Sequence, residues 1–143
     1  MSFVYNNAKR GWLAGDFVWG GADVFELIQC MITTSADTEN DGIAFVADFG
    51  TLGEHGTAGR SNLPDLTPTV VDASDRGEAD ATDVTYSTLA SGASLLQGTV
   101  VYKEVATDAD RIPMGWFNYP GNIDPGGSDL IIVWNANGLF HIT

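Results

Sequence analysis

The sequence predicts a mainly β fold: a β-sandwich or barrel-like single domain, residues 1–143, with a short N-terminal helix and a C-terminal β-hairpin. Three observations carry that expectation. Short runs rich in β-branched and aromatic residues recur along the chain. Turn clusters separate them: Asn40-Asp41-Gly42, Asp75-Arg76-Gly77, Ser91-Gly92, Asp108-Ala109-Asp110 and Pro125-Gly126-Gly127. Glycine is abundant, 17 of 143 residues, which suits many short elements joined by turns.

The helix comes first, in an N-terminal arm over about residues 1–15. Asn6 or Asn7 can cap a helix through AKRGWLA, with Gly15 as its stop. Tyr5, Ala8 and Trp12 fall at i, i+3 and i+7 and form one apolar stripe. Gly11 inside it costs about 1 kcal/mol relative to alanine, so this helix needs a surface to lean on.

Strands follow. VFELIQCMITT reads as a strand, with a helix as the competing reading of its first half. GIAFVADFG has strand composition, as do TPTVVDAS, DVTYSTL, GTVVYKEV and RIPMGWFN. LIIVW is apolar on both faces of a strand, which predicts a position central in a two-layer body or covered by another subunit. Asn137-Gly138 tolerates the positive φ of a tight reversal, so the last strand, around His141, is expected to fold back as a hairpin and close the sheet. Between these runs lies a flexible glycine-rich loop at about 50–65, with Gly50, Gly53, Gly56 and Gly59 three residues apart. Loops of that length are often binding surfaces.

Charge narrows the function. The formal net charge is −13, from 19 acidic and 6 basic residues, which opposes approach to phosphate backbones and anionic membranes. The sequence therefore predicts no nucleic-acid and no membrane partner; a basic protein surface remains compatible. Cys30 is alone and sits among apolar residues, as a core side chain does. The first fifteen residues hold no continuous hydrophobic segment of the secretory kind, and LIIVW is far shorter than a membrane span.

Chemistry is sparse. His55 and His141 are the only imidazoles, and no HxxxH or CxxC element accompanies them. The densest carboxylate group is Asp72, Asp75, Glu78, Asp80 and Asp83. As a calcium loop it puts Arg76 where an oxygen ligand is needed and Asp83 where a bidentate glutamate belongs, so a solvated acidic turn fits better. No nucleophile, base and orienting group can be assembled, so no enzyme, cofactor or metal is expected. The tryptophans and phenylalanines read as core or interface.

Four stretches in order, YNNAKRGWLAGDF, DRGEADATDVTYSTL, VVYKEVATDADRIPMGWFN and IIVWNANGLFHIT, resemble small virion proteins of tailed bacteriophages. The pattern positions are Tyr5, Ala8, Lys9, Leu13, Gly15, Trp134, Asn135, Asn137 and Gly138; residues Ala44 to Leu66 depart from it. The resemblance implies a capsid cement or decoration protein, made in the host bacterial cytoplasm and bound to the virion exterior. Its partner would be the major capsid protein, contacted as a homo-oligomer, dimer or trimer. Candidate contact residues are Tyr5, Lys9, Arg10, Trp12, His55 and Arg60. Two other roles stay open: another virion component (head–tail connector, tail protein or head fibre), or a carbohydrate-binding host-attachment module using exposed Trp and Asp.

Overall fold

A computed structural model describes residues 2–36, 41–74, 76–135 and 138–142, with His141 and Ile142 described by backbone alone. Asn40, Asp75 and Asn137, each assigned above to a turn, lie outside the described residues. The fold is mainly β, as expected. Strands β1 (Phe3–Val4) and β2 (Phe25–Met31) flank helix α1 (Asn6–Ala14). The short strands β3 (Arg60–Asn62), β4 (Thr67–Val71), β5 (Arg76–Asp80) and β6 (Val84–Leu89) follow. Strands β7 (Leu96–Lys103), β8 (Ile112–Ile123), β9 (Ser128–Ile132) and β10 (Phe140–Ile142) complete the chain.

A five-stranded antiparallel sheet, β1-β8-β7-β2-β3, forms the centre. Because neighbours on a strand alternate sides, β2 sends Phe25, Leu27 and Met31 to one face and Ile28 and Cys30 to the other. The first face packs against two small sheets, β10-β5-β4 and β6-β9, through Ala79, Val84, Tyr86, Leu130, Ile132 and Phe140. The second is covered by Tyr5 and by Ala36, Ile43, Val46 and Phe49 from the connection between β2 and β3. Strands β2 and β7 are thus apolar on both sides because both sides are roofed. Burial on β2 decides against the helical reading of its first half.

Cys30 is fully buried, and burial pushes its thiol up to about 12, as befits an inert core group. Gly98 is required by close approach: a Cβ there would stand 2.5 Å from the Trp116 ring and 2.7 Å from the Phe117 carbonyl oxygen.

The helix ends at Gly15, in the left-handed conformation (φ 75°), as the sequence indicated. Its start differs. Tyr5 occupies the cap position with no side-chain cap bond, while Asn7 reaches across to the Ala44 carbonyl, 2.7 Å, so the asparagines tie helix to loop. Gly11 has a packing reason: a Cβ would meet the Phe17 ring at 2.6 Å.

GIAFVADFG is not a strand. The Asp48 carboxylate accepts the Ala44 and Phe45 N–H groups, 3.0 and 2.8 Å, and Val46–Asp48 forms a 3₁₀ turn. Ile43, Val46 and Phe49, three residues apart, then point to the core together, whereas Phe45 is exposed. The acidic group is not simply a solvated turn either: its Arg76–Asp80 part is β5, and Asp72–Ser74 before it is a 3₁₀ step.

The expected C-terminal hairpin is also corrected. β9 pairs with β6 and β10 with β5, in register Phe140↔Ala79, so the last two strands belong to different sheets. Gly138 does take a positive φ, 81°, but within a crossing, where Leu139 N–H bonds the Ala79 carbonyl at 2.8 Å. β10 is an edge of its sheet and closes nothing. LIIVW is not covered on both faces. Leu130 and Ile132 are buried, while Ile131 is 55% and Val133 69% exposed.

Candidate docking surface

Two parts of the surface combine apolar side chains with a strand edge that no other described strand covers. The first is built on β4 and β5, an antiparallel hairpin in register Thr67↔Asp80 through Val71↔Arg76. On β4, Thr67, Pro68, Thr69 and Val70 are all exposed, Val70 by 75%, so this strand has no core on either face. It is also the outer edge of its sheet, where a proline is tolerated because its missing N–H would face solvent. The hairpin is an arm.

Beneath the arm runs a groove of about 460 Å³ lined by Trp12, Trp19, Pro68, Val70, Ala79 and Phe140. Trp12 reaches it from α1 because the helix lays Ala8 and Gly11 against the core and leaves Trp12 at the margin. Trp19 stacks on Phe25 at 5.3 Å with the rings 10° from parallel, and Phe140 meets Trp12 edge-on at 5.3 Å. Glu78 at the rim is held by Arg76, 2.9 Å. The floor is thus a rigid aromatic plate and one wall is the arm.

The second surface follows β9. A groove of about 700 Å³ is bounded on one side by the consecutive residues Leu130–Asn135 and on the other by Phe117, Tyr119, Pro120 and Ile123. Trp134 closes one end, edge-on to Phe117 at 5.6 Å and donating its indole N–H to the Thr82 carbonyl at 3.2 Å.

Electrostatics favour one class of partner. Arg10 pairs with Asp16, Arg76 with Glu78, and Lys103 with Asp23 at 2.8 Å. Arg60 pairs with Glu54 and Asp108; Arg111 pairs with Glu104 and Asp108, both at 2.6 Å. Among the described residues these five basic side chains are therefore paired within the molecule, and Lys9 donates to Asn6 at 3.2 Å. The surplus carboxylates set the surface potential, and that potential attracts cations.

The Arg60 and Arg111 guanidiniums lie 5.4 and 5.7 Å from the Tyr102 ring centre, and Tyr102 donates its hydroxyl to Glu26. Hydrogen bonds from Arg60 hold the Asp108 carboxyl at about 2, and those from Arg111 hold Glu104 below its ordinary value. Burial, with Glu26 beside it, raises Tyr102. The charges in this network satisfy one another, so it fastens the 104–111 loop to β3.

Of the residues singled out from sequence, the structure places Trp12 at the first groove and leaves Lys9 and Arg10 exposed on the same helix. Tyr5 is completely buried and donates its hydroxyl to the Ala36 carbonyl, so it cannot touch a partner. His55 is 2% exposed: its backbone N–H donates to the Gln29 carbonyl at 2.9 Å and its ring Nδ1 accepts the Ala58 N–H at 3.2 Å. That pins the glycine-rich segment to β2, next to the Cys30↔Glu54 bridge and β3, so the segment is knit into the sheet rather than an open loop. Arg60 is committed to its two carboxylates. Among the described residues no group of three metal-ligating side chains converges; His141 contributes backbone alone. No described helix is long and apolar enough to cross a membrane.

Trp19, Val70, Phe140, Ile131 and Val133 were not singled out as contacts. Pro68 inside the TPTVV run was a usable signal of an edge strand. No protein-family model, curated protein or solved structure matches this chain.

Proposed function

We propose that the protein is a non-catalytic accessory component of a tailed-phage virion, a cement that docks on assembled major capsid protein and bridges neighbouring subunits. The observation that carries this reading is the β4–β5 arm, whose outer strand is exposed on both faces above an aromatic groove. A hairpin with so little core is marginal alone, and covering Val70, Pro68 and the groove would offset the cost of holding it out. The resemblance of four ordered stretches to small virion proteins supplies the context.

Bridging needs two contacts on one rigid body; each added contact raises the effective concentration of the next, so individual contacts can be weak. A clamp that binds the finished shell better than free subunits stabilises that shell by mass action. Docking of a −13 chain onto a basic surface should weaken as salt rises.

The test is co-sedimentation with purified shells lacking the protein, followed by reconstruction of the decorated particle. Shell-wide density with the arm against capsid protein is expected, together with a raised melting temperature of the shell. Val70→Asp should abolish co-sedimentation and Val70→Thr weaken it, with unchanged circular dichroism. Density confined to the neck or tail would replace the cement role with a connector, tail or fibre role. Glycan binding lost on changing Trp19, with no shell binding, would make the groove a host-attachment site.

A further inference from the structure

The groove along β9 has features the aromatic groove lacks. β9 pairs with β6 on one side, and its other edge pairs with no strand among the described residues. The groove is lined by consecutive residues of that strand and its extension, Leu130 to Asn135; past β9 the Trp134 N–H is bonded to Asp83 and the Asn135 carbonyl accepts the Gly138 N–H, so the open edge is that of β9 itself. An exposed edge usually carries a lysine, a proline or a bulge that blocks pairing. From Leu130 to Ile132 there is no lysine, no proline and no register shift, the irregularity of the pair lying between Tyr86 and Leu89 opposite Ser128–Leu130, and Ile131 and Val133 project outward.

We propose that this edge accepts an extended segment of a partner protein as an added strand, with apolar residues alternating with basic ones. Backbone hydrogen bonds to β9 would supply affinity, and alternate side chains would supply selectivity. The apolar set would lie toward Phe117, Tyr119 and Ile123 across the groove. The basic set is selected by charge: no Lys or Arg occurs after Arg111, while Asp83, Asp124 and Asp129 flank the groove and its strands. Each of those carboxylates is held by a backbone N–H, from Trp134, Gly126 and Thr88 respectively, at 3.1, 3.2 and 2.7 Å.

A second copy of this chain fits worse. It would bring −13 against −13. A five-residue edge is about 17 Å long, and it offers far less than the roughly 800 Å² per partner of a stable interface. The site is separate from the aromatic groove and does not depend on the partner being a capsid protein.

The test uses the full chain and a short synthetic peptide of alternating lysine and valine, with a glutamate–valine peptide as control, measured by titration calorimetry and amide NMR. The lysine peptide should bind at least about tenfold tighter than the control and weaken with salt. Amide shifts should centre on residues 129–133. Ile131→Lys should lower affinity at least about tenfold by guarding the edge, Ile131→Thr by less, and Val70→Asp not at all. Circular dichroism and melting temperature of the Ile131 variants should match the parent. Equal binding of both peptides, indifference to Ile131→Lys, or shifts confined to the aromatic groove would overturn the proposal. So would a dimer of the parent chain, seen by sedimentation, that Ile131→Lys dissolves, because the edge would then belong to a second copy.

Discussion

The two sides of this molecule are built from similar residues and end in opposite states. In the central sheet, β2 and β7 bury nearly every side chain, apolar or not. In the small sheets, β4 (TPTVV) and β9 (SDLII) also carry valine and isoleucine, yet Val70, Ile131 and, just past β9, Val133 face solvent. β2 and β7 are the richer in apolar residues, but they bury the same residue types, Ile28, Val100 and Val101, that the small sheets leave exposed. What separates them is the number of neighbours: β2 and β7 have a strand on each side and a layer on each face, while β4 and β9 are edges. Apolar residues left on an edge cost solubility and gain nothing for folding, so their physical use lies in contact with something else.

Trp116 tests the stability half of that comparison most severely. It is fully buried in the cluster with Tyr5, Ile28 and Tyr102, and Trp116→Ala should cost about 3–5 kcal/mol in urea unfolding. A cost near that of a surface substitution would mean this side is not the folding core.

The ion-pair network gives a smaller, pH-dependent effect. Asp108 has its folded value lowered to about 2 from an ordinary 3.8, and Glu104 is lowered as well. A lowered carboxylate stabilises above its unfolded value, and the contribution disappears as pH falls through the folded one. The urea midpoint should therefore drop between about pH 4 and pH 2, and Asp108→Asn should flatten that drop. The side chain is 38% exposed, so solvent screening keeps the effect well below that of Trp116.

The smallest effect belongs to the edges. Val70→Thr and Val133→Thr keep β-branching and should change unfolding free energy by no more than about 0.5 kcal/mol. A larger loss in either would show that the edge contributes to the core and would erase the contrast.

Much of the fold was legible because local signals dominate where they occur. Gly15 stops its helix, and the β-branched runs around Val70, Val100 and Ile132 are strands. In the failures, partners distant in sequence took part in deciding the outcome. GIAFVADFG had strand composition, but the Val46 and Ala47 N–H groups bond the carbonyls of Arg111 and Asp108, both at 2.9 Å, and Asp48 closes the turn locally. The final strand went to β5 instead of β9 because Gly138 and Leu139 carry the chain across to Ala79. For the site, the helix stripe that holds Trp12 is legible, and the structure puts that residue at the margin of the first groove. Tyr5 and His55 were misjudged because residue type does not reveal burial. Ile131 and Val133 looked like core until the register showed which face of β9 they occupy.

The four tryptophans are distributed so that each part of the molecule carries its own optical reporter. Trp116 is sealed in the interior, Trp12 and Trp19 sit in the aromatic groove, and Trp134 stands at the end of the β9 groove. Fluorescence from variants retaining a single indole would distinguish which surface a ligand covers. The emission of Trp116, screened from quencher, would show in the same cuvette that the body beneath had not changed.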